Sequence, residues 1–267
     1  KNIKDVTSLE LYVATEDMGE AAWSDADDDW HLTGIKNLSG IEGFTSLTHL
    51  EIIGDHDMGS VLAVLDLSTN IALKELHFDN HYDGLVEILD LSKNTALEIL
   101  SCDGSRLKKL DVSQNTLLTD LNCRGNNLLN LDLSQNTLLT YLECSSNNLK
   151  KLDLINNPLL TDLDCSYNKL KKLDVSQNTT LHTLICYENK LKKLDISQNT
   201  ILTLLGCGEN KLKKLNVNQN TLLTNLYCSN NKLTKLDVSQ NTPLTHLDCS
   251  SNELTKLDLN NNILLTR

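Results

Sequence analysis

A repeat solenoid, built of short stacked coils with a parallel β-sheet and very little helix, is the fold class this sequence predicts, on three observations. Its eight cysteines, Cys102, Cys123, Cys144, Cys165, Cys186, Cys207, Cys228 and Cys249, follow one another at intervals of 21 residues. Around each runs one pattern, L-x-x-L-x-C-x-x-N-x-L-x-x-L-D-V-S-Q-N-T. A fixed period of this length marks a repeat that cannot bury its apolar face alone and stacks on its neighbours. The third observation is the length itself, because 21 residues leave little room for an α-helix on the back of a coil.

The repeat from Leu118 to Thr137 shows how each coil is built. Leu118, Leu121 and Cys123 point inwards, and the alternation from Leu121 to Cys123 has the period of a strand. Three residues later comes Asn126, where the chain must turn. An amide there can bond backbone groups of its own and the adjacent coil, so the turn needs no water. Seven cysteine repeats carry this residue (Asn126, Asn147, Asn168, Asn189, Asn210, Asn231, Asn252), and Ser105 replaces it in the first. Leu128 and Leu131 return to the core, and the step to Leu133 suggests a second short strand on the back. A second amide column closes each coil, from Asn94 through Asn178 to Asn262. Both columns are read as structural. Counting back from Cys102, the same core slot holds Phe78, Ile52 and Leu11, which gives about eleven coils and a front sheet roughly 50 Å long at ~4.8 Å per strand.

An even number of cysteines invites a disulfide reading. Stacking opposes it, because equivalent side chains in adjacent parallel strands point the same way, a poor match to disulfide geometry. Buried free thiols behave as small hydrophobes, and a ladder of inert thiols is the preferred reading over disulfides or a soft-metal site.

The formal charge is −12. Residues 1–100 carry 20 acidic and 5 basic side chains, and residues 101–267 carry 16 and 19, so the acidity belongs to the N-terminal part. Nucleic acid is not an expected partner, since phosphate binding needs a concentrated basic surface. No run approaches the ~18 apolar residues of a membrane span, so direct membrane insertion is not expected. Residues 1–95 read as irregular repeats with acidic loop insertions and 96–267 as regular cysteine-ladder repeats, in one continuous solenoid domain. The chain starts on the edge of an apolar pattern and stops midway through a repeat, so both ends read as truncated.

Segments such as L-T-D-L-N-C-R-G-N-N-L and K-L-D-V-S-Q-N-T, over about residues 96–266, resemble the cysteine-ladder leucine-rich repeats of internalin J-type bacterial surface proteins. The stretch His31–Ile52, with Leu32, Ile35, Leu38, Ile41, Phe44, Leu47 and Leu50, is similar to internalin repeats more broadly. The resemblance implies a leucine-rich repeat solenoid, a right-handed superhelix with its parallel sheet on the concave face. It also implies a secreted or cell-surface protein that binds a protein or glycan and is not an enzyme. The helical N-terminal cap and immunoglobulin-like domain of internalins have no counterpart in this sequence.

Function is sought in columns that folding does not explain. On the concave face, Tyr141, Tyr167, Ile185, Tyr187 and Leu204 occupy neighbouring repeats, bordered by Glu143, Asp162, Asp164, Glu188 and Glu209. Tyrosines beside apolar side chains and rimmed by charge have the composition of a recognition surface. A second candidate lies in loops lengthened after Leu11, Ile52 and Phe78. Asp55, His56, Asp57, Asp79, His81 and Asp83 there could hold a divalent cation, with no other cofactor expected. The competing reading is an acidic cap in which Trp23 and Trp30 cover the end of the core. On the back, lysines such as Lys172, Lys193 and Lys214 stand beside an aspartate column that includes Asp174 and Asp195. They are read as a mutually compensated face rather than a polyanion site, and the alternative to a binding module is a structural spacer. No phosphate loop, nucleophile elbow or metalloprotease motif is present.

Overall fold

The solenoid rests on the strict placement of leucine, and a computed structural model shows how. It describes residues 3–14, 30–33, 38–54, 65–79, 86 and 88–266. The strands are β1 (Ser8–Ala14), β2 (Trp30–Thr33), β3 (His49–Gly54), β4 (Glu75–Asp79), β5 (Ile99–Cys102) and β6 (Asp120–Asn122). They continue with β7 (Tyr141–Glu143), β8 (Asp162–Asp164), β9 (Thr183–Ile185), β10 (Leu204–Gly206), β11 (Asn225–Tyr227) and β12 (His246–Asp248). Helix among the described residues is confined to two 3₁₀ turns, Ile3–Asp5 and Ile41–Gly43.

The chain divides into two units, Lys1–Leu131 and Asp132–Arg267. In the first, β1 to β6 pair in parallel in the order β2-β1-β3-β4-β5-β6. The segment after β1 therefore returns as edge strand β2, which pairs with β1 on the side away from β3. In the second unit β7 to β12 pair in sequence order, every pair parallel. The regular turns number about eight, one per cysteine. That is fewer than the eleven coils counted from the sequence: β1, β3 and β4 join the sheet, but parts of their coils lie outside the described residues.

The middle residue of the three-residue strands β6 to β11, such as Leu142, Leu163, Leu184, Leu205 and Leu226, is buried to within 1 % of full enclosure, and Leu247 of β12 is half-buried. The cysteine two residues on is equally enclosed from Cys102 to Cys228. The thiols are free, and Cys249 alone is partly exposed. Burial pushes the Cys102 and Cys228 thiols up to about 12, and raises Cys165, Cys186 and Cys207 well above the ordinary value.

The turns are held by amides. Asn189 Nδ2 donates to the carbonyls of Cys165 (2.9 Å) in the preceding coil and of Tyr187 (3.1 Å) in its own, while its Oδ1 accepts the Leu170 N–H at 2.9 Å. The second column works with donors alone: Asn178 Nδ2 reaches the carbonyls of Leu154 (3.2 Å) and Asn157 (2.7 Å). Both columns were expected to be structural, and both tie a coil to the one before it.

Two expectations are corrected. The back of the coil carries no strand among the described residues: Leu131 and Leu133 are buried, but each pair of coils shares there only an isolated backbone bond such as Lys190 N–H to the Leu170 carbonyl. The aspartate column is not chiefly a counter-charge for the lysines. Asp132, Asp174 and Asp195 each accept the N–H of the serine two residues on, at 3.0 Å, closing a turn. That N–H also holds these carboxyls below the usual range.

Replacing Asn178 by Ala should lower stability by about 1–3 kcal/mol in a denaturant titration, since two buried carbonyls each lose one of two hydrogen bonds and a gap remains. A thiol-specific disulfide reagent should label Cys249 first and the other seven only on unfolding. The thiols also fix the alkaline limb. Unfolded thiols ionise near 9.0 whereas Cys102 resists to about 12, so above pH 9 the unfolded state binds fewer protons. The melting temperature should therefore fall as pH rises through that window.

Candidate front-face interaction surface

In β7, β8, β9 and β11 the second residue is buried and the first and third lie towards solvent, whereas the third residue of β10, Gly206, is buried. The third positions run Glu143, Asp164, Ile185, Gly206, Tyr227, Asp248. Three residues past the strand the chain takes a left-handed turn, and Ser146, Tyr167, Glu188, Glu209 and Asn230 all have φ between 45° and 53°. In the first unit Gly104 and Gly125 fill that column. Glycine or asparagine suits it. A tyrosine there is strained by roughly 1–2 kcal/mol, and at 54 % exposure the Tyr167 ring gains little packing in return.

Tyr187 sits differently. Its ring lies across Gly206 and Gly208 of the next coil: a Cβ at Gly206 would fall 2.6 Å from Cε2, and one at Gly208 would fall 3.0 Å from Cδ1. Two missing side chains thus make the shelf on which the ring lies flat. Ile185 and Tyr227 flank Gly206 in strand register, and Leu204 shares its strand, half-buried. Burial of the ring, with the Cys207 and Tyr227 groups nearby, raises the Tyr187 phenol above its ordinary value. Tyr227 Oη accepts a hydrogen bond from Asn225 Nδ2 at 3.1 Å.

The structure brings Ile185, Tyr187 and Leu204 to one place and adds Tyr227, which the sequence reading missed. The signal was available, since Tyr227 shares a strand column with Ile185 and Gly206. Tyr141 stands apart, opposite Asp162 on β7 and two strands from β9. The acidic residues fall into two sets. Glu143, Asp162 and Asp164 have carboxylate oxygens engaged locally, with Ser145 N–H (3.1 Å), Thr161 Oγ (2.8 Å) and Ser166 N–H (2.8 Å). Glu188 and Glu209 are exposed on the left-handed turns.

On the back, a groove of about 830 Å³ is lined by Lys192, Lys193, Lys213, Lys214 and Asp195, with Asn216 where other coils have aspartate. Of the loop residues considered for a cation, Asp55, His56, Asp57, His81 and Asp83 lie outside the described residues, as do Trp23 and the side chains of Asp79 and Trp30. Among the described residues, a different trio that could hold a metal converges: His49, Glu75 and His77.

No protein-family model matches the chain, and no curated protein sequence is significantly similar to it. Solved structures are. The functional domain of InlJ from Listeria monocytogenes, which includes a cysteine ladder, is 46% identical over 78% of this chain, with a TM-score of 0.75. The chain spans 46% of that structure's length. The internalin InlF of the same organism is 26% identical, with 85% of this chain and 67% of that one covered and a TM-score of 0.71. A leucine-rich repeat protein of Leptospira interrogans matches 98% of this chain and 83% of its own at 22% identity, a likeness of fold (TM-score 0.67).

Replacing Tyr167 by Asn, the residue that Asn230 already supplies in this column, should raise stability by about 1 kcal/mol by relieving left-handed strain, read from the denaturation midpoint. Replacing Gly206 by Ala should leave the fold intact, because only the far end of a side chain must move. It should return the Tyr187 phenol towards the ordinary tyrosine range in an ultraviolet pH titration. Ladder, amide columns and likeness together place the chain: it is a leucine-rich repeat solenoid of the cysteine-ladder type, similar over 78% of its length to the functional domain of InlJ.

Proposed function

We propose that this protein is a secreted or cell-surface bacterial interaction module that binds a protein or glycan through the front face of its sheet, without enzymatic activity. The observation that carries the reading is the Tyr187 ring laid over Gly206 and Gly208, with Ile185 and Tyr227 on either side. A flat aromatic face held in place and bordered by apolar and carboxylate groups suits stacking against a sugar ring or a partner's side chain. Little conformational entropy is lost on binding, because the ring is already seated. Tyr167 supports the same reading: a bulky residue kept in a strained turn, and largely exposed, is better explained by recognition than by folding. The cysteine-ladder domain of InlJ is described as functional, and its likeness supports a role for the repeats beyond spacing.

A glycan array and a protein array probed with the parent chain should return a ligand. Tyr187→Ala and Gly206→Ala should each weaken its binding by roughly tenfold or more, the loss expected of an interface anchor of about 1.4–2 kcal/mol. Full affinity in both variants would rule out the Tyr187 platform, and no ligand on either array would favour a spacer.

A further inference from the structure

Three side chains that neither the fold nor the aromatic platform uses meet on the front face of the first unit. His49 opens β3, and Glu75 and His77 lie on β4. The register sets His49 opposite Glu75, and Glu51 opposite His77. Residues two apart on a strand share a face. All four therefore stand on the solvent side, while Leu50, Ile52, Leu76 and Phe78 between them are buried. His49 Nδ1 lies 2.9 Å from Glu75 Oε2, and His77 Nε2 lies 3.9 Å from that same oxygen. The two imidazole centroids are 5.4 Å apart. One ligand atom from each residue can be taken so that all three lie within 4.8 Å of one another.

We propose that His49, Glu75 and His77 bind a divalent transition-metal ion of the Zn²⁺ class and leave a coordination position open to solvent. The donor set decides the class of ion: two imidazoles with one carboxylate suit Zn²⁺ and its neighbours, whereas Ca²⁺ and Mg²⁺ prefer oxygen alone. The spacing fits as well. Ligands at 2.0–2.1 Å from a tetrahedral centre are about 3.4 Å from one another, and the two contacts to Glu75 Oε2 bracket that separation.

The scaffold is stiff where it matters. Each ligand alternates along its strand with fully enclosed core residues, so small side-chain rotations complete the site without backbone movement. Glu51, next to His77 in the register, and Glu10, next to Glu51 on β1, add negative charge that favours a cation. A plain surface hydrogen bond accounts for the His49–Glu75 contact, but not for a second imidazole converging on the same carboxylate. Three protein ligands with a free position is the pattern of zinc sites that accept an outside donor. The metal would therefore give the front face of this unit a means of capturing a histidine or carboxylate from a partner.

Chelator-stripped protein should be titrated with Zn²⁺ by calorimetry and with Co²⁺ by visible absorption. One ion per chain is expected, with intense d–d bands of a four-coordinate site and a melting temperature that rises with free Zn²⁺. His49→Ala/His77→Ala should weaken binding by roughly 100-fold or more, since even outer-sphere partners of a metal ligand are worth about 10–100-fold. Its melt without metal should stay close to the parent's, because both imidazoles stand half-buried on the solvent side of the sheet and fill no core slot. Asp55→Asn/Asp57→Asn should bind as the parent does. Absence of saturable binding in the parent, undiminished affinity in the histidine variant, or loss of binding in the aspartate variant would each overturn the proposal.

Discussion

A coil of 21 residues with no helix has to reverse direction with its backbone turned inwards, and the carbonyls at those reversals have no strand partner. A backbone N–H already reaches carbonyls such as those of Leu154 and Asn157, and a second hydrogen bond at each contributes about 0.5–1.5 kcal/mol, repeated in every coil. The amide side chain of asparagine meets this need because one group carries two donors and an acceptor at a length that spans adjacent coils. Asn178, Asn199, Asn220 and Asn241 spend both donors on carbonyls of the preceding coil, while their Oδ1 atoms accept nothing. Aspartate has no donor to offer there and would bury a charge. Serine is too short to reach two carbonyls. In the Cys102 coil, where Ser105 replaces the first asparagine column, the chain turns instead through two left-handed residues, Gly104 and Arg106. The periodic core follows from the periodic turn, since the leucines fall in line only if every coil closes at the same length.

This dependence decides what the sequence could reveal. Core slots, amide columns and the burial of the thiols were readable because each is one residue type repeated at one spacing, with a single physical reason behind it. The back of the coil was misread because Leu131 and Leu133 have strand periodicity, and periodicity reports burial rather than pairing. With the turn amides already joining the coils, the back needs only an isolated backbone bond. The aspartate column was misread for a related reason. A charge next to a lysine suggests an ion pair, but Asp132 and its equivalents stand two residues before a free N–H, and a local turn is the nearer partner.

The front face was less legible because its information lies in differences between repeats. Tyr187, Ile185 and Leu204 could be picked out as apolar residues at solvent positions. Their relation could not, because it depends on two glycines one coil away. Gly206 and Gly208 leave room for the ring, and Tyr227 stands as the far wall of the same gap. The histidines behave alike. Five of the seven fall in the N-terminal region, which drew attention to the long loops, whereas the trio that converges is formed by strand positions His49, Glu75 and His77. Loop length is conspicuous in a sequence. Cross-strand register is not, and it is register that sets the three ligand atoms side by side.

The two front-face features break the repeat in a common way. A glycine inside a strand gives up side-chain packing and costs roughly 0.5–1 kcal/mol relative to alanine, so folding alone would not favour Gly206 on a three-residue strand. Histidine and glutamate at facing positions likewise add little to the stability of an exposed sheet, where such pairs contribute about 0–1 kcal/mol. In a solenoid the core and the turns are over-determined by repetition, and small local losses of this kind are absorbed by neighbouring coils. That tolerance lets solvent positions diverge without disturbing the leucine, cysteine and asparagine columns beneath them. A departure that weakens its own coil while leaving those columns intact is therefore the mark of a position held for something other than folding, and Tyr167, the Tyr187 shelf and the His49–Glu75–His77 trio each carry it.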